Sequence, residues 1–501
     1  MKISFKDKET CLKETENKKQ TNPKYRDFTQ HFFTAGDHEQ AIEFLLSKTF
    51  ASQKYKAKKS KVKPEFKNKE TVREIKDLLK LKFYKNFHDK SVSNTFKYLF
   101  EHIGTGIYVQ IKNNELEMFV PFYNMEFLNY FQDKLKIHPR YNNNPTKMSR
   151  DKALSNNRNP NMVRVINDRR RWGATNCFIW LESGRKINDT NYTQINHMLK
   201  QLCEKYKVPD CEFFINRKDT ATLTKKLTEP FFHLFGSKNE PLRKHKYDSY
   251  VPILSYSVTK DNADIPMPTP DDWEIVTKLV FPYECRDAYL KDFDKVKWED
   301  KISTAFFRGG ATGCGVTIQD NPRLKIAHLS SIWKNNDKFN QNNKVDGVPF
   351  LDAGVTAFNP RYKKTMDNKF INFIKPKNLP FRKAEFFPMV QQTKFKYLLD
   401  IEGNVSAYRL AFTLASGSLV LKVDSQYDAW FSKLLEHGVH YVPVKNDLSD
   451  LAKQITWCKE HDKECKKITE NAKKFVAKHI TENGLLEYMQ FVLCEINKSQ
   501  C

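Results

Sequence analysis

The chain has 501 residues, room for two or three domains that each bury a core of their own. Lys and Arg (85) outnumber Asp and Glu (60), a formal charge of +25, so anionic partners are favoured. The charge alone leaves nucleic acid, phosphorylated donors and acidic membrane surfaces open.

The opening MKISFKDKETCLKETENKKQ has no apolar stretch, and no run of about 18 apolar residues occurs anywhere. A signal peptide and a transmembrane segment are therefore not expected. The ten cysteines are scattered singly with no CxxC pair, which argues for reduced thiols. No KDEL-like tail follows; the chain ends NKSQC. The expected location is the cytoplasm.

Residues 1–90 read as a basic N-terminal extension, with helices at 39–50 and 72–87 and the run KYKAKKSKVKPEFKNK from Lys54 to Lys69 between them. That run is read as a solvated linker, with weak contact to an anionic surface as its alternative. Next, GIYVQIKNNELEMFVPF at 106–122 alternates on both sides of Asn113-Asn114, as a β-hairpin does. Residues 139–171 lose periodicity and fill with Asn, Arg and Pro, the signature of a long loop.

Strands at 177–181 and 211–216 flank a helix at 190–206, which makes a βαβ unit. Asp219 follows the second strand's carboxyl end, where α/β proteins keep their chemistry. From position alone, a capping Asp on a surface turn explains it equally well. A strand at 251–257 leads into the proline-rich IPMPTPDDW at 265–273, expected to cross between domains. The acidic pair Asp292 and Asp294 has the form of a metal-chelating DxD but sits in a charged, helical-looking segment, so a solvated face is the better reading.

The strand at 303–308 opens into Gly309-Gly310-Ala311-Thr312-Gly313-Cys314-Gly315, four of the chain's 16 glycines within seven residues. Such a loop turns tightly or lets backbone N–H groups approach a ligand. It is not a P-loop, because Val316-Thr317 stands where Lys-Ser/Thr is required, and it lacks the third glycine of the dinucleotide fingerprint.

Three strand-helix units follow, with strands at 397–401, 418–423 and 440–444 and helices at 405–416, 427–437 and 448–458, and Gly417 suits the left-handed cap of the first helix. Glu402-Gly403-Asn404 should then face a ligand beyond the strand ends. Arg308 and Arg409 are read as pointing into one crevice, where two guanidiniums suit a diphosphate. Cys458, His461 and Cys465 have helical spacing but no clear fourth partner for zinc beyond His479. The tail at 468–496 is an amphipathic helix, broken near Asn483-Gly484, that docks back on the body.

FFRGGATG (306–313), NPRLKIAHLS (321–330), KFKYLLDIEGNVSAYRL (394–410), LASGSLVLK (414–422) and HYVPVKNDLSDL (440–451) together resemble glycosyltransferase family 90 across about residues 175–480. This family includes fungal capsule-associated xylosyltransferases and protein O-glucosyltransferases. The resemblance implies an α/β, GT-B fold of two Rossmann-like domains with parallel sheets. It implies a UDP-sugar donor carrying glucose or xylose, a protein or glycan acceptor, inversion at the anomeric carbon, and no metal or other cofactor. The catalytic base falls on Asp219, through Asn216-Arg217-Lys218-Asp219.

By the same resemblance, donor binding falls on Arg308, Gly309, Gly310, Thr312, Gly313, Arg323, Glu402, Gly403, Tyr408 and Arg409. Gly310 and Ala311 stand where the family's glucosyltransferases have serine and arginine. The division that follows is 91–280 for acceptor and base, 281–467 for the nucleotide-sugar, and 468–501 for the returning helix. The rival reading, a basic nucleic-acid-binding protein, rests on net charge and the run after Lys54 alone, and no specific nucleic-acid contact is expected.

Overall fold

The computed structural model describes residues 46–65, 89–123, 190–222, 250–277, 296–334, 348–358, 363–364, 371–372 and 374–500, apart from single positions within them. The strand expected at 177–181, the helix at 72–87, most of the helix at 39–50, the loop at 139–171 and the Asp292/Asp294 pair lie outside these residues. Among the described residues no helix is long and apolar enough to cross a membrane.

The first sheet grows from the expected hairpin. β1 (Thr105–Lys112) and β2 (Glu115–Tyr123) pair antiparallel. Asn113 and Asn114 between them have φ of 52° and 63°, the left-handed backbone that asparagine tolerates and that matches the strands' twist. β3 (Cys211–Ile215) joins antiparallel to β1. β4 (Ile253–Ser255) and β5 (Ile265–Pro266) continue in parallel, for an order β2-β1-β3-β4-β5. The expected parallel pairing is present in β3-β4-β5, while the β2-β1-β3 part is antiparallel, as a two-residue turn between β1 and β2 requires of that pair.

α1 (Asp89–Tyr98), α2 (Thr190–Lys205) and α3 (Pro270–Thr277) accompany this sheet. The proline-rich stretch does not form a crossing linker. It supplies edge strand β5, where Pro266 removes no central ladder bond, and then the start of α3, where Pro270 fits the first turn. Thr269 and Asp272 cap that helix reciprocally: the Thr269 N–H donates to Asp272 Oδ2 and the Asp272 N–H to Thr269 Oγ1, both at 2.9 Å.

The second sheet is wholly parallel. β6 (Ile302–Gly310), β7 (Leu351–Ala357), β10 (Phe395–Asp400), β11 (Leu419–Val423) and β12 (Val442–Val444) lie in the order β12-β11-β10-β6-β7. A separate antiparallel pair, β8 (Lys363–Lys364) and β9 (Ile371–Asn372), lies between β7 and β10 in the chain. The strand order reverses between β6 and β10, so a crevice opens beyond their carboxyl ends. α4 (Pro322–Lys334) follows β6 and α5 (Leu410–Ala415) follows β10. Gly417 takes the expected left-handed backbone, φ 66°, after α5.

Two expected helices are shortened for identifiable reasons. The helix expected from 405 starts only at Leu410, because the Gly403 N–H turns onto Val405 O (2.9 Å) and residues 402–409 form a loop. The helix expected at 427–437 is a single 3₁₀ turn, Ser432–Leu434. Its backbone bonds go elsewhere: Asp428 and Val258 exchange two, at 2.7 and 2.9 Å, and tie the halves of the molecule together. The Trp430 indole adds a bond to Asp272 Oδ2 (3.0 Å).

α6 (Leu451–Glu460) and α7 (Asp462–His479) pack behind the second sheet, and α8 (Glu482–Gln500) returns to the first, where Tyr488 OH donates to Pro266 O at 2.9 Å. The described lysines of the run after Lys54 are exposed, as in a solvated segment, but its backbone is tethered to the body. The Ser60 N–H donates to Asn497 Oδ1 and the Glu65 N–H to Gln490 Oε1, both at 2.9 Å, which fixes the segment along α8. Just before it, the Phe50 N–H reaches both carboxylate oxygens of buried Glu212 on β3 (3.1 Å each), and Tyr108 OH donates to the same group.

Candidate functional site

At the β6–β10 switch, alternation along β6 separates the two arginines that the sequence aims at one crevice. Phe307 and Gly309 face one side of the sheet. There the Arg409 and Arg323 guanidiniums lie 5.2 and 5.6 Å from the Phe307 ring centre. Arg308 projects from the opposite side, 4.5 Å over Phe306, and pairs with Asp352 of β7 at 2.7 Å. It also donates to Asp352 O at 3.0 Å, so it clamps β6 to its neighbour. The expectation that Arg308 and Arg409 point into the same crevice is corrected: residues 308 and 309 on a strand face opposite ways.

Gly309 makes room for Arg409, since a Cβ there would stand 2.6 Å from Arg409 Nη2. Arg409 itself makes one hydrogen bond among the described residues, from Nη1 to Arg308 O (2.6 Å). A guanidinium has five N–H donors, so most of this one's capacity is open to a ligand. Burial draws its pKa down while the Asp400 carboxylate holds it up.

Arg323 is placed in the same crevice but is already engaged. Its Nε donates to Glu402 O (2.9 Å), Nη1 to Gly310 O (3.0 Å) and Thr312 Oγ1 (2.8 Å), and Nη2 to Ile401 O (2.9 Å). Burial pushes its pKa to about 9, which leaves it a cation at neutral pH. Arg323 therefore stitches the glycine loop to the end of β10, and its charge still reaches the crevice.

The glycine loop is held by asparagines. Asn321 caps α4 by accepting from the Arg323 and Leu324 N–H groups (3.0 and 3.1 Å), and its amide donates to Thr312 O and Gly315 O. Gly313 has φ of 103° and approaches Gly403 so closely that a Cβ would sit 2.8 Å from Gly403 O. Beneath the loop, Asp400 is buried, and its Oδ1 has no hydrogen-bond partner among the described residues. Burial raises its pKa, against the pull of Lys422, Arg409 and Arg323. Glu402 is likewise raised by burial and accepts from Ser425 Oγ.

Asp219 comes to this site from the other sheet. Beyond β3, Asn216 accepts from the Lys218 N–H (2.8 Å) and donates to Ser255 Oγ (3.1 Å), which shapes the turn that presents Asp219. The Asn404 amide meets Asp219 Oδ2 at 3.4 Å, and its Oδ1 accepts from the Gly313 N–H at 3.0 Å. The Tyr408 hydroxyl is buried without a partner among the described residues, its ring 6.2 Å from Tyr256 and edge-on. Its pKa is raised by burial and then by the Asp219 charge.

The site thus gathers Asp219, Gly309, Gly310, Thr312, Gly313, Arg323, Glu402, Gly403, Tyr408 and Arg409 and leaves Arg308 on the far side of β6. Asn321 is an addition, signalled by the Asn-Pro pair at a helix start; Asp352, the cross-strand partner of Arg308, lies outside the site with it and leaves no local trace in the sequence. Cys458 and Cys465 are buried, with Cys465 Sγ donating to Cys458 O (3.6 Å), while His461 Nδ1 lies against Trp457 O. Among the described residues no three His, Cys, Asp or Glu side chains are grouped to hold a metal.

The profile of glycosyl transferase family 90 matches residues 179–500. The chain belongs to glycosyltransferase family 90. It is 33% identical to an uncharacterised protein of Invertebrate iridescent virus 3 over 486 residues, which covers 95% of this chain and 43% of the relative. It is 34% identical to one of Invertebrate iridescent virus 6 over 527 residues, with the same coverage of each. Human protein O-glucosyltransferase 3 is 28% identical over 301 residues, 60% of this chain and 49% of that protein. The chain spans under half the length of each of these relatives. The family 90 match includes both β3 with Asp219 and the whole second sheet.

Proposed function

We propose that this family 90 member is an inverting glycosyltransferase of GT-B architecture that moves glucose or xylose from a UDP-sugar to an acceptor hydroxyl without a metal. Residues 281–467 hold the nucleotide-sugar, 91–280 supply the base and face a protein or glycan acceptor, and 468–501 brace the first half. The observation that carries this reading is the meeting of Asp219, from the end of β3, with the loop between β10 and α5, beside an Arg409 guanidinium with open donors.

In this mechanism Asp219 takes the proton of the acceptor hydroxyl as that oxygen attacks the anomeric carbon from the face opposite UDP. The new C–O bond forms as the bond to the β-phosphate oxygen breaks, and UDP leaves with the electron pair. Arg409 donates to the diphosphate, and the Arg323 charge supports it. Gly309 leaves room for Arg409, and Gly403 for Thr312 and Arg323, so that these side chains can crowd into the crevice. The human relative bears the name protein O-glucosyltransferase, which supports glucose and a protein acceptor as the first substrates to try.

Calorimetry with UDP tests the donor half of the reading. UDP affinity is expected to be unchanged by EDTA. A tenfold loss on chelation, about 1.4 kcal/mol, would overturn the metal-free site and bring back the alternative centred on Asp292 and Asp294.

A further inference from the structure

Asn404 has no role in the chemistry above, yet its side chain touches both the glycine loop and Asp219. It is buried at 8% exposure on the turn closed by the Gly403 N–H and Val405 O. Its orientation is determined by chemistry: the Gly313 N–H is a donor only, so the amide oxygen must face it (3.0 Å). The amide NH₂ is left for Asp219 Oδ2 at 3.4 Å, a long contact of the kind that tightens when a site is filled. The loops that carry the two contacts are packed closely, since a Cβ on Gly313 would stand 2.8 Å from Gly403 O, and Ser406 Oγ bonds Ser257 Oγ across the halves at 2.9 Å.

We infer that Asn404 is a positioning residue that registers the Asp219 carboxylate against the glycine loop, so that the loop which holds the donor also sets the direction from which the proton is taken. This inference rests on the assignment of Asp219 as the base. The Gly313 bond anchors the amide in the donor half, and the NH₂ then holds the Asp219 carboxylate through Oδ2. Side-chain rotation of Asp219 is thereby restricted to orientations that face the donor loop.

The test separates the two bonds of Asn404. Asn404→Asp keeps an oxygen for the Gly313 N–H but sets a carboxylate against Asp219. Asn404→Leu has similar volume and makes neither bond. With UDP-glucose and UDP-xylose hydrolysis as the assay, both variants are expected to lose about tenfold in kcat, with UDP affinity within about twofold of the parent, and neither is expected to slow Asp219→Asn further. A residue that only holds the loop would tolerate Asp, would change UDP affinity and turnover together, and would add its loss to that of Asp219→Asn.

Thermal unfolding gives a reading that needs no substrate. Asn404→Asp is expected to lower Tm, and adding Asp219→Asn, which restores the pair in reverse, is expected to recover it while the double variant stays inactive. Additive Tm changes, or parental turnover in Asn404→Asp, would overturn the inference. If Asp219→Asn alone kept parental turnover, the base assignment itself would fall, and the Tm recovery would still report whether the two side chains are coupled.

Discussion

Asp219→Asn keeps the size and most of the hydrogen bonding of the side chain but cannot accept the acceptor's proton. Transfer is expected to fall by roughly 10²–10⁴ while UDP binding hardly changes, which a transfer assay and calorimetry read separately. The arginines should divide in a way that strand alternation dictates. Arg409→Ala is expected to weaken UDP binding by about 1.5–3 kcal/mol, the range for a charge-assisted hydrogen bond. Arg308→Ala breaks the pair with Asp352 on the far side of β6, so its loss is expected in Tm, with UDP affinity changed by less than about threefold. Equal losses of UDP affinity in the two variants would show that both guanidiniums reach the diphosphate.

At the scale of the element, the crevice depends on glycine where loops and side chains nearly collide. Gly309→Ala places a methyl 2.6 Å from Arg409 Nη2, and the flexible guanidinium must move away from the diphosphate. A loss of UDP affinity is expected, with a modest fall in Tm because the methyl also stands 3.0 Å from the ring of buried Phe307. Four of the five strands of the second sheet are legible in sequence, because β10, β11 and β12 are short apolar runs bounded by turn residues and the glycine cluster marks the end of β6, whereas β7 (Leu351–Ala357) is not. The two sides of β6 are not legible, because which way Arg308 points depends on the neighbour β7 that supplies Asp352. The lost helix at 427–437 has the same cause. Its apolar spacing is helical, but the backbone of Asp428 finds its partner in Val258, some 170 residues earlier in the chain.

At the scale of the whole molecule, the halves are joined through buried polar groups, and this makes stability depend on pH. Burial raises Asp272 to about 6 against bonds from Thr269 and Trp430 that favour its charged form. The folded state therefore holds this proton more tightly than the unfolded chain does. Stability from this group is present at low pH and is lost as pH rises from about 4 to about 6. The difference in unfolding free energy between the parent and Asp272→Asn should follow that window. A difference independent of pH would show that the carboxyl is not responsible.

The described residues 46–65 of the N-terminal segment belong to the body at this scale. Deleting residues 1–90 removes the Phe50 N–H from buried Glu212 and the partners of Asn497 and Gln490 on α8. Tm is expected to fall, with UDP affinity retained in whatever remains folded, since the crevice is built from residues after 300 and Asp219. Loss of UDP binding by a well-folded truncation would place donor contacts in the first 90 residues.

Transfer from a UDP-sugar with inversion is tested most directly by proton NMR of the anomeric signals. The parent protein and Asp219→Asn are each incubated with UDP-glucose or UDP-xylose in EDTA, and the anomer released first is read before mutarotation. The account predicts that the parent releases the β-sugar from the α-linked donor and that Asp219→Asn releases little. An α-sugar appearing first, or turnover that requires a divalent metal, would contradict it.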